Sequence, residues 1–476
     1  MVPVRTGHRT GQANKGRIMA TDQTEAFTPE ARSFRAASKA FSDGTDSPRV
    51  FLERCIEAID ASEAQIGAFV TTNLEAARAA ADEASERWKT GRVLSVVDGM
   101  PVGIKDIMET ADMPTEQGSP LFTGWRGGRD SAAVAALREA GCVVVGKTVT
   151  TEFAATVARG TRNPWDPART PGGSSSGSAA AVAAGMVSGA LGTQVIGSTI
   201  RPASFCGCFG FKPSVGGINR GGSFDVFSQS CTGTLAATLG DGWNMARAIS
   251  ARAGGDPGYP GLSGPLELPP PEKPRRVAVL ATAGWNSATA DAKQAMGDVR
   301  DRLHAADIEC VDGTTNEPVA AAEKAIAGAA PLSRRINAWE TRWPLNTYAR
   351  DMDRSGLSRI MQDRLAQAEE MTLEDYQAVL DDRRRVRETY AALKDHCNVC
   401  VTLAASGPAP LGLDSTGDST FAVPSSLLGA PALSLPVLAA EGLPLGLQMI
   451  GFTDDDAAMF SAAGAILPLF DDDRSS

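Results

Sequence analysis

Residues 171–213 read PGGSSSGSAAAVAAGMVSGALGTQVIGSTIRPASFCGCFGFKP, a run rich in serine, glycine and alanine whose only charged side chains are Arg201 and Lys212. A stretch this apolar belongs inside the fold. Its serines must then find partners there, because each unsatisfied hydroxyl costs roughly 1–3 kcal/mol. Two of them stand in loops that feed alanine-rich helical runs, Ser174 before residues 178–186 and Ser198 at the start of the run toward Cys206. Amides at a helix start point outward and favour developing negative charge. A serine placed there can attack a carbonyl with an oxyanion cradle already beside it. It needs a neighbour to take its proton. Lys105, at the end of the short apolar segment MPVGIKD (residues 100–106), is the candidate. Such a lysine either snorkels to water or stays buried with a lowered pKa, as a general base requires. Residue types alone leave both open.

Other chemistries fit less well. GSSSG (residues 173–177) matches the nucleophile-elbow pattern GxSxG with Ser175 as nucleophile. That elbow needs strand residues before it, and RTPG stands there instead. Its histidine base would have to be His8, His304 or His396, in the tail or in charged helical surroundings. A phosphate-binding P-loop needs a lysine after its second glycine, and none occurs between Lys147 and Lys212. Eight cysteines in 476 residues imply no disulfide framework. The pairs Cys397/Cys400 and Cys206/Cys208 lack a second ligand pair, so no metal is expected and the thiols read as buried and reduced.

The elements that must position these groups follow from pattern. Residues 48–70 and 73–88 read as amphipathic helices, the first started by Ser47 and Pro48. Residues 130–140 form a helix capped by Asp130 and closed by Gly141, followed by the strand CVVVG. Helix, glycine, then a β-branched run is an α/β crossover, which predicts a sheet covered on both faces. Residues 289–397 are helical and more charged, and residues 431–451 read as two buried strands joined by a Gly-Leu-Pro turn. The expected fold is α/β, a single α/β/α sandwich around a large mixed sheet. Residues 1–20 form a disordered tail, residues 21–476 one domain, and residues 264–398 a mainly helical excursion roofing the pocket.

The net charge of −10 argues against free-standing nucleic-acid binding. The longest apolar run is too short and glycine-broken to span a membrane. The expectation is a soluble, cytoplasmic protein.

GGSSSGSAAAVAAG, then GS-x-x-RPASFCG, GFKP, the upstream GIKD and the downstream GLPLGLQMIG together resemble the amidase signature family. The segments GIKDIMETADMPTEQGS, GTQ-x-x-GS-x-IRPA and STGD look most like its malonamidase-type bacterial members. The resemblance implies Ser198 as nucleophile, Ser174 as bridging serine on a cis peptide, and Lys105 as base. It places the oxyanion hole at the backbone amides of Val195, Ile196, Gly197 and Ser198. Arg201, three residues after Ser198, either holds a substrate carboxylate, as the malonamidase-type resemblance implies, or is tied to backbone carbonyls. Thr193, Gln194 and Ser175 are further candidates for substrate contact. Many members carry Asp-x-Gly-Gly-Ser before the nucleophile. Here Gln194 and Ile196 replace the Asp and the first Gly. The implied activity is cofactor-free hydrolysis of a C–N bond in a small amide, anilide or carbamate through an acyl-enzyme. The alternative is the amidotransferase component of tRNA-dependent Asn/Gln synthesis. The expected partner is the small substrate, with no nucleic acid or membrane, and with a homodimer allowed for.

Overall fold

The computed structural model describes residues 28–225 and 227–474; residues 1–20, expected as a tail, and 21–27 lie outside them. Eleven strands form one mixed sheet: β1 (Phe69–Thr72), β2 (Pro101–Lys105), β3 (Val143–Thr148), β4 (Gly189–Gln194), β5 (Phe209–Lys212), β6 (Cys231–Ala236), β7 (Arg276–Val279), β8 (Glu309–Val311), β9 (Val399–Leu403), β10 (Ala432–Ala440) and β11 (Leu443–Ile450). Their order is β1-β3-β2-β4-β6-β5-β10-β11-β9-β7-β8. β2 runs parallel to both β3 and β4, while β4, β6, β5, β10, β11 and β9 alternate antiparallel. Helices flank the sheet.

The parallel pair β2/β4 matters most. Both strands end at the same edge of the sheet, β2 at Lys105 and β4 at Gln194, with Ile104 in register with Leu191. In open α/β sheets that carboxyl edge is where ligands are held. The loops following β4 and preceding the helix Ser176–Ala183 converge there.

That helix is buried over its whole length, packing its alanines on Val143, Val145 and Ala190 of the sheet. Gly177 makes the approach feasible. Its N–H donates to Val149 O at 3.0 Å, and a Cβ there would overlap the Ala68 carbonyl oxygen and the Val149 amide nitrogen, both backbone. Neither atom can swing aside. Gly177→Ala should therefore destabilise the fold by at least about 2 kcal/mol, read as a lowered urea midpoint; an unchanged midpoint would contradict this packing.

Several boundaries differ from the sequence reading. The helix from Pro48 stops at Ile66, not 70, because Gly67 takes φ 63° there and releases the chain into β1. The helix Ala132–Glu139 is preceded by Ser131, and Asp130 instead accepts from Ala111 N at 2.8 Å. The charged segment contains helices Ala290–Ala305, Glu317–Ile326, Ala329–Asp351, Arg359–Glu370 and Leu373–Ala391, but also the short strand β8. Strands β10 and β11 lie where two strands were expected.

Candidate active site

Three lysines are fully buried: Lys105, Lys147 and Lys212. Their partners tell them apart. Lys147 Nζ is 2.9 Å from Asp106 Oδ1, a buried ion pair. Lys212 Nζ donates to Pro213 O at 2.7 Å and lies 3.6 Å from Cys231 Sγ. Lys105 Nζ donates only to hydroxyls, Ser174 Oγ at 2.7 Å and Thr193 Oγ1 at 2.8 Å. With no carboxylate in hydrogen-bond reach, burial dominates and brings its pKa down to about 7; the charge of Asp225 opposes this. An amine poised near neutrality is half free to accept a proton.

Ser174 is fully buried, and the Gly173–Ser174 peptide bond is cis. The next residue, Ser175, donates its N–H to Ser198 O at 3.3 Å. This bond ties the loop carrying Ser174 to the loop after β4. Ser198 itself is 8% exposed and lines a recess of ≈ 500 Å³ together with Val195, Ile196, Gly197 and Arg201. The hydroxyl of Ser198 makes no hydrogen bond to Ser174 among the described residues. Catalytic hydrogen bonds are commonly long before substrate arrives and tighten only in the complex.

The segment 195–198 has its carbonyls engaged: Val195 O by Gln229 Nε2, Ile196 O by Ser426 Oγ, and Gly197 O by Arg201 N. The amides of Ile196, Gly197 and Ser198 donate to no acceptor among the described residues. Thr199 N and Ile200 N, in contrast, both donate to Gln194 Oε1 at 3.0 Å.

That last contact revises two expectations. Gln194 does not line the recess: it is fully buried, caps the helix Ile200–Cys206, and its Nε2 donates to Ser426 Oγ at 3.1 Å. Thr193 is also away from the recess, because its hydroxyl accepts from Lys105. Ser175 Oγ is spent on the backbone of Thr193, accepting from its N–H at 3.3 Å, and does not reach the recess. Arg201 does line it, but its Nη atoms donate to Gly173 O at 2.6 Å, Thr416 Oγ1 at 3.0 Å and Gly417 O at 3.1 Å. These contacts match the backbone-tied reading of Arg201. They leave its buried Nε without a partner.

Two groups escape the sequence reading. Asp225 is 2% exposed, with neither carboxylate oxygen hydrogen-bonded, and its charge reaches Lys105. Arg364, on the helix Arg359–Glu370, lines the recess beside Ser198. A glycine-rich tract marks the first region only as loop, and Arg364 is one charge among many on its helix. No group of three His, Cys, Asp or Glu side chains among the described residues is arranged to hold a metal. No helix among them is long and apolar enough to cross a membrane.

A family model described as Amidase matches residues 51–460. The chain is 32% identical over 455 residues to a glutamyl-tRNA(Gln) amidotransferase component, the A chain, of Anaeromyxobacter sp. (strain K), covering 87% of this chain and 91% of that one. The protein of the same description from Chloroflexus aggregans (strain MD-66 / DSM 9485) is 41% identical over 241 residues, and the match spans about half of each chain, 49%. A solved protein from work on a vestigial complex and the evolutionary origins of an s-triazine catabolic enzyme superposes with a TM-score of 0.79 at 26% identity, over 92% of this chain and 98% of the other.

Proposed function

Since the chain belongs to the amidase signature family, we propose that it hydrolyses the C–N bond of an amide through a relay of Lys105, Ser174 and Ser198. The observation that carries this is the fully buried amine of Lys105 bonded to two hydroxyls and to no carboxylate. In its neutral form Lys105 takes the proton of Ser174, which takes that of Ser198. Ser198 Oγ then bonds to the amide carbon. The carbonyl oxygen, now negative, is received by the amides of Val195, Ile196, Gly197 and Ser198, where preorganised donors stabilise it most. The C–N bond breaks, the relay returns the proton to the departing nitrogen, and an acyl-Ser198 ester remains. Water, deprotonated by the same relay, releases the acid and restores Ser198.

The recess of ≈ 500 Å³ supports a small amide, anilide or carbamate as substrate. A second reading is favoured by the curated relatives: an amidotransferase component, in which the same relay frees ammonia from an amide for transfer. The acidic chain, with net charge −10, then requires partners to hold the tRNA.

The two readings separate on one measurement, ammonia or amine release by the purified chain from a panel of amides, anilides and carbamates. Steady turnover by the chain alone is expected for the hydrolase. Release seen only after adding amidotransferase partner proteins and tRNA would replace it with the second reading.

A further inference from the structure

The cleft around Ser198 has unspent donors and no acid. The recess beside Ser198 adjoins a second of ≈ 450 Å³, walled by Phe224, Leu345, Tyr348 and Met361. Phe153, Phe227, Thr341 and Arg364 line both, so the two form one continuous space with Arg364 at the junction. Neither lining includes an aspartate or glutamate. The buried Gln117 Nε2 and Thr341 Oγ1 in these walls have no hydrogen-bond partner.

Arg364 stands out among the arginines of its helix. Arg359 pairs with Asp363 at 3.8 Å, whereas no carboxylate or carbonyl among the described residues accepts from Arg364. No aromatic ring lies under it either. Burial alone acts on its charge, lowering the guanidinium from its usual range with no acidic neighbour to offset this. Leaving a guanidinium largely desolvated and unpaired is unfavourable. It becomes favourable when a ligand supplies the anion, since charge-assisted bonds to a guanidinium fork are among the strongest available. Arg201 cannot take that part fully, because both of its Nη atoms already hold chain oxygens.

We propose that Arg364 is a specificity-determining residue that binds a carboxylate on the substrate, and that the substrate is an amide whose apolar body spans the aromatic recess between its scissile bond and that carboxylate. The position of the scissile bond rests on the reading of Ser198 as nucleophile; the anion site does not. Gln117 Nε2 and Thr341 Oγ1 are the further donors to oxygens of the same substrate.

The test compares matched ligands by isothermal titration on the Ser198→Ala chain, where turnover cannot interfere: adipic acid monoamide against hexanamide, and terephthalic acid monoamide against p-toluamide. In at least one pair the carboxylated member should bind about tenfold tighter or better, the range expected of one charge-assisted contact. Arg364→Gln should abolish that preference while leaving the neutral amide's affinity unchanged, and Arg364→Lys should restore part of it. Absence of a carboxylate preference in both pairs overturns the proposal, as does an equal loss for charged and neutral ligands in Arg364→Gln. A preference found together with no turnover by the Ser198-containing chain would leave the anion site standing and remove the hydrolase reading.

Discussion

Ser198→Ala is expected to lower amide turnover by about four orders of magnitude or more, the scale seen when a covalent nucleophile is removed from a cooperating set. The fold should be almost untouched. The contact tying Ser198 to the Ser174 loop uses its carbonyl, which accepts from Ser175 N, and a methyl group replaces the hydroxyl at a site that already meets the recess. Stability should therefore stay within about 0.5 kcal/mol of wild type, so lost activity would report chemistry and not unfolding. The acyl-enzyme offers a second readout. Hydroxylamine intercepts an ester on Ser198, so wild type should convert an accepted amide to the hydroxamate and Ser198→Ala should yield none. Full activity in Ser198→Ala would remove the relay. Hydroxamate formation that survives the substitution would move the nucleophile to another side chain.

The sequence exposes the parts of this site whose environment is set locally. Lys105 stands out because apolar residues and glycine surround it in a strand, and a strand between two others has no route for snorkelling. Ser174 and Ser198 stand out through long motifs. Gln194 shows where local reading ends: a polar residue closing a strand before a reactive loop could face the ligand or the next helix. Only the turn of that loop decides, aiming its amide at Thr199 N and Ile200 N. Arg364 is harder still. The helix RIMQDRLAQAEE carries charges on several faces, and a cation facing solvent has the same sequence pattern as one facing a cavity. The distinction comes from Met361 and Leu365 being buried against Leu345 and Leu357, a tertiary contact. β8 escapes pattern reading because three residues, one of them exposed, carry too little alternation to register. The end of the first long helix at Ile66 escapes it because Gly67 has no helical consequence until β1 pairs with β3.

The pH dependence of Lys105 is the second large effect, and it acts on activity and stability together. Burial brings the folded-state pKa from 10.5 to about 7, and the relay needs the neutral amine. The kcat/KM for an uncharged amide should be flat above neutrality and fall about tenfold per pH unit below about 7. Lys105→Arg, cationic at every accessible pH, should be inactive across the profile. An acid limb unchanged in shape in that variant would assign the titration elsewhere. Stability follows from the same shift. Between about 7 and 10.5 the unfolded lysine holds a proton that the folded one lacks, so this site's contribution to stability rises with pH through that window and levels off below it. Between pH 7 and pH 9 the rise is about 2 kcal/mol. Lys105→Met abolishes the titration. Urea unfolding should therefore show wild type gaining on Lys105→Met by about that amount from pH 7 to pH 9. Parallel curves for the two chains would mean that the amine titrates alike folded and unfolded. Lys105 would then remain protonated at neutral pH and be unable to serve as the base.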